Sequence, residues 1–89
     1  MRYEIDLAGI YNPDDFYNRL EEYMPLPEYF GRNLDALHDM FTDIATETEI
    51  VFTSTREAEV MMSRYMRNLK RLCTAVQKEN ENLRFTFDA

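Results

Sequence analysis

Two glycines in 89 residues leave little freely bending backbone. A Gly-rich phosphate loop needs more, and so does an all-β fold full of tight turns. The count argues against both. One cysteine, Cys73, cannot form an internal disulfide, so the fold must stand on its core, which suits a reducing compartment. Cys73 is expected to be a small apolar filler on a helix. No Cys/His spacing resembles a zinc site, and nothing in the chain points to a cofactor. Long apolar runs are missing too. The opening MRYEIDLAGI is acidic within its first six residues and reads as neither a secretory signal nor a membrane span. A cytoplasmic protein that avoids membranes is the expectation. There is no internal repeat and no low-complexity segment.

The most informative absence is of positive charge. Between Asn33 and Glu49 stand Asp35, Asp39, Asp43, Glu47 and Glu49, with no Lys or Arg. The net charge of −7 is unevenly placed. Residues 1–55 carry 12 acidic and 3 basic side chains, whereas residues 56–89 carry 5 and 7. An acidic surface repels phosphate backbones, so direct nucleic-acid binding is not expected. A basic protein partner is the natural complement.

What is present is enough for one globular domain over residues 1–89. Hydrophobic residues make up 45% of the chain, six Tyr and six Phe among them. A chain of this size buries roughly 60–65% of its unfolded surface, which allows one modest core. Residues 2–10 alternate, with Tyr3, Ile5 and Leu7 against Glu4 and Asp6, and read as a strand. Asn12 is a good N-cap, Pro13 suits a first helical position, and Asp14 and Asp15 favour a helix N-terminus. A helix over 13–24 follows, stopped by Pro25 and Pro27. Asn33 caps a second helix over 34–44, where Leu34, Leu37, Phe41 and Ile44 form an apolar stripe. Residues 49–53 read as a buried strand. Residues 55–79 are helical, with a break expected near Met62–Arg64. Residues 83–87 alternate and close the chain as a strand. The fold class is α/β: a three-stranded parallel sheet packed with three to four helices.

On the helix at 34–44, a step of 100° per residue puts Leu37, Met40, Phe41 and Ile44 between about 240° and 340°. Asp35, His38, Asp39, Thr42 and Asp43 fall between about 40° and 180°. Aspartates four residues apart repel by a few tenths of a kcal/mol per pair. Asp43 also opposes the helix dipole, and Asp is a poor helix former. An ordinary solvated face would interleave Lys or Arg, so this one is arranged for a positive partner. Tyr29 and Phe30 precede it, Tyr29 expected outward and Phe30 inward. Gly31 is expected to permit a backbone turn that other residues resist. Asp35, His38 and Asp39 also share a face on which a divalent metal is conceivable.

The motif LPEYFGxNLDALxD, residues 26–39, resembles the signature of the barstar family, the intracellular inhibitors of barnase-type ribonucleases. The element order over all 89 residues is similar as well. The resemblance implies a stoichiometric inhibitor, not an enzyme: a monomer that forms a 1:1 complex with a basic, barnase-like ribonuclease. It implies that Asp39 takes the substrate-phosphate position against Arg and His side chains. Asp35 would bind a further cation, and Tyr29 would pack on the catalytic His. Gly31, Asn33, His38 and Thr42 would complete the contact. The chain departs from the family pattern at three places. His38 stands where Trp is frequent. Arg32 replaces an acidic neighbour. In the last helix, Ala75–Lys78 offers no carboxylate, and Glu79 reads as a poor substitute. Two rivals remain: a barstar-like module for a different basic toxin or regulatory protein, and a divalent-metal enzyme built on Asp35, His38 and Asp39. Met61, Met62 and Met66 are expected in the core more than on a second interaction patch.

Overall fold

The computed structural model describes residues 1–89. Tyr3 and Ile5, alternating with charged neighbours, form strand β1 (Arg2–Asp6). Helix α1 (Pro13–Tyr23) begins where expected: the Asn12 side chain accepts a bond from the Asp15 amide at 2.9 Å, and Pro13 opens the first turn. Helix α2 (Leu34–Thr42), strand β2 (Thr48–Thr53), helices α3 (Thr55–Met61) and α4 (Ser63–Glu79) and strand β3 (Leu83–Phe87) complete the order. The break expected near residues 62–64 falls on Met62, at φ −138° and ψ 58°.

The sheet has the order β1-β2-β3, and both pairings are parallel. Its register explains which face is covered. Tyr3, Ile50 and Phe85 lie side by side, as do Ile5, Phe52 and Phe87. These rows join the helices in one hydrophobic core. The other face carries Arg2, Glu4, Glu49, Arg84 and Thr86, with Val51 the buried exception. Arg2 bridges Glu4 and Glu49 there. Parallel sheets are usually covered on both faces; this one keeps a polar face of ion pairs instead.

Three expectations change. The first strand stops at Asp6 and does not run to residue 10. The Asp6 carboxylate accepts the Ala8 amide at 2.9 Å, and Gly9 turns the chain at φ 77°. Leu7 still donates to the Thr53 carbonyl at 2.9 Å and is buried, so the apolar alternation outlasts the ladder. The second helix ends at Thr42, two residues early. Its last carbonyls are taken by a side chain from elsewhere in the fold: the Asn80 amide donates to Phe41, Thr42 and Ile44 carbonyls at 3.0, 3.3 and 2.8 Å. Finally, Met62 and Met66 are buried as expected, but Met61 is exposed.

Candidate functional site

Asn33 starts α2 by accepting the Ala36 amide on its side-chain oxygen at 2.8 Å, while its NH2 donates to the Gly31 carbonyl at 3.2 Å. Both ends of Asn33 are therefore spent on local structure, which fixes the direction in which α2 leaves the loop. Gly31 does not carry the special backbone expected of it. The left-handed residue is Arg32, at φ 51°, a conformation that costs a non-glycine about 1 kcal/mol or more. Gly31 contributes space instead: a Cβ there would meet the Ala36 Cβ at 3.2 Å. The loop's aromatics divide as expected. Phe30 packs on Tyr17, ring centroids 5.7 Å apart, and Tyr29 stands 91% exposed.

Tyr29, Gly31, Asp39 and Asp43 share the walls of one shallow groove of about 240 Å³, with Phe30 and Met40 beneath. The Asp39 side chain is 85% exposed. Neither Asp35, Asp39 nor Asp43 lies within 4 Å of a Lys or Arg nitrogen. The only partner near Asp39 is the His38 imidazole, whose Nδ1 is 3.6 Å away. Thr42 donates its hydroxyl to the Asp39 carbonyl at 3.0 Å, tying the last turn of α2 to the middle one. Asp35 sits in the first turn, where the helix dipole favours it.

His38 is half-buried and faces two carboxylates. Its Nε2 lies 2.9 Å from Glu79 Oε2 at the end of α4. The sequence treats Glu79 as a poor substitute for an acidic contact; packing of α4 against α2 brings it to the edge of the acidic face. Nothing local in the sequence signals this, because residues 38 and 79 lie on separate helices and meet only through the packing of α4 on α2. Arg32 is the opposite case. It stands in the loop before α2, yet its side chain turns back onto α1 and away from the acidic face. Asp35, His38 and Asp39 do not converge as ligands: no group of three or more His, Cys, Asp or Glu side chains has metal-holding geometry.

The arrangement is one exposed aromatic, a groove, and a row of carboxylates without fixed cations, mounted on a capped helix and a short loop. A family model described as barstar (barnase inhibitor) matches residues 1–89, the whole chain. The chain belongs to the barstar family. The three-stranded parallel sheet with four helices is the architecture expected of a barstar-like α/β chain. No curated protein sequence matches it significantly. The family's description is that of an inhibitor of another protein, barnase. No helix is long and apolar enough to cross a membrane.

Proposed function

We propose that this chain inhibits a basic, barnase-type ribonuclease stoichiometrically, with α2 and the loop before it filling the enzyme's active site. One observation carries the reading: Asp39, exposed and unpaired by Lys or Arg, faces solvent across a groove from the 91% exposed Tyr29. A ribonuclease cleft is built of cations that hold phosphate. Asp39 offers it a carboxylate in place of a phosphate, and Arg recognises both through the same forked geometry. Asp35 adds a second charge one helical turn away. Tyr29 supplies a large, rigid contact surface of the kind that interface cores favour. Gly31, Asn33, His38 and Thr42 hold and border these groups. Glu79 adds a carboxylate at the margin. The mutual repulsion of the aspartates is a small folding cost, relieved when cations arrive.

Calorimetric titration into a barnase-type ribonuclease, with RNA cleavage assayed in parallel, tests this. One-to-one binding that blocks cleavage is expected. Asp39→Ala should weaken binding by about 3–5 kcal/mol, because it leaves the enzyme's cations buried and unpaired. That is a loss of two to three orders of magnitude or more. Binding to other basic proteins with none to the ribonuclease would favour the alternative of a different basic toxin or regulatory protein.

A further inference from the structure

Arg32 is the only Lys or Arg between Arg19 and Arg56. It lies in the loop that presents Tyr29 and starts α2, so an outward-pointing side chain would put a cation beside the carboxylates. It does the reverse. One guanidinium nitrogen donates to Glu21 Oε1 at 3.0 Å. The other donates to Asn18 Oδ1 at 2.9 Å and to the Asp14 carbonyl at 3.1 Å. The guanidinium carbon also stands 5.8 Å from the centre of the Tyr17 ring. Tyr17 is buried and hydrogen-bonded to Tyr65 of α4, so the platform is rigid. The same ring receives Phe30 from this loop. Two side chains, one on each side of Gly31, thus pin the loop to α1.

The remaining ties are few: Leu26 packs against the core and the Asn33 side chain holds the Gly31 carbonyl. The loop's internal backbone bonding consists of the Phe30 amide to the Pro27 carbonyl at 3.1 Å. The left-handed backbone of Arg32 is a strained one for a non-glycine, a cost that surrounding contacts have to offset.

We infer that Arg32 is a positioning residue: its side chain latches the Tyr29 loop and the α2 N-cap to α1 before any partner arrives, and so keeps the cation nearest in sequence turned away from the acidic face. The latch spreads three acceptors over two nitrogens of one planar fork above a ring, a geometry that the single ammonium of a lysine does not reproduce. The role in binding rests on the inhibitor reading above; the latch itself does not.

The test therefore has two arms. In the free protein, hydrogen exchange is followed at the Phe30 and Ala36 amides in wild type, Arg32→Ala, and Asn18→Ala/Glu21→Ala, which removes both side-chain acceptors and leaves Arg32. Both variants should speed loop exchange by about tenfold or more and leave β2 unchanged. Combining them should add little, because they break one device. Arg32→Gly relaxes the backbone but lacks the latch, and should exchange as fast as Arg32→Ala. Wild-type protection in Arg32→Gly, or additive effects in the combined variant, would overturn the latch.

In the second arm, association and dissociation with a barnase-type ribonuclease are measured. Arg32→Ala should slow association several-fold, because only part of the ensemble presents the loop correctly, with dissociation little changed. An effect confined to dissociation would instead make Arg32 a direct contact and overturn the positioning role. If wild type fails to bind at all, the inhibitor reading falls, while the exchange arm still decides the latch.

Discussion

Asn80 has the highest stakes of any single polar side chain. It is 9% exposed, its NH2 serves the carbonyls at the end of α2, and its oxygen accepts the Asn82 amide at 3.0 Å. No buried side-chain polar atom lacks a partner in this structure. Asn80→Ala would strand several groups at once and should cost about 2–3 kcal/mol. In a domain of this size that lowers the thermal midpoint by about 10 °C or more, which a melting curve reads directly. Cys73 makes a gentler prediction. It is buried, and burial pushes its thiol well above the ordinary range. A thiol reagent at pH 8 should leave it unlabelled in the native protein and label it once per chain in denaturant. Asp6 carries a pH signature. The Ala8 amide, then the Ser54 hydroxyl, hold its carboxyl below the usual range. Its contribution is therefore present above the unfolded value and lost as pH falls through the folded one. Asp6→Asn should flatten the acid limb of the stability profile, measured by denaturant midpoints from pH 2 to pH 6.

At the scale of the element, α2 is a helix optimised for something other than its own stability. Asn33 and Asp35 suit its N-terminus, but Asp43 caps its C-terminus, where the dipole opposes a negative charge. No basic residue occupies its last turn. Asp43→Asn should raise stability by about 0.3–1 kcal/mol. Under the inhibitor reading it should also weaken ribonuclease binding, so chemical denaturation and titration of one variant would move in opposite directions. What keeps so ill-favoured a helix in place is tertiary: Leu37 and Phe41 in the core, and Asn80 on its last carbonyls.

For the whole molecule the governing fact is charge asymmetry. Residues 1–55 hold 12 of the 17 acidic side chains, and α2 presents three of them together. Attraction of a basic partner then acts at long range and is screened by salt, since the Debye length falls from about 10 Å at 0.1 M to about 3 Å at 1 M. Association with a barnase-type ribonuclease should slow by about tenfold or more between 0.05 and 0.5 M salt. Dissociation should change far less. Stopped-flow mixing across that range checks it.

The sequence by itself determined the element order, the parallel sheet and the acidic face. Each of these is a local or periodic property: alternation in Tyr3–Leu7, helical spacing of Leu34, Leu37 and Phe41, caps at Asn12 and Asn33, and aspartates four residues apart. The motif at residues 26–39 determined the family. Only the tertiary structure decided where the long side chains go. Glu79 reaches His38, Asn80 completes α2, and Arg32 folds back onto α1, because packing brings together residues that lie 41, 36 to 39, and 11 to 18 positions apart. No periodicity encodes such meetings. The turn assigned to Gly31 shows the same limit: glycine permits a left-handed backbone, but in the folded chain its neighbour Arg32 adopts it.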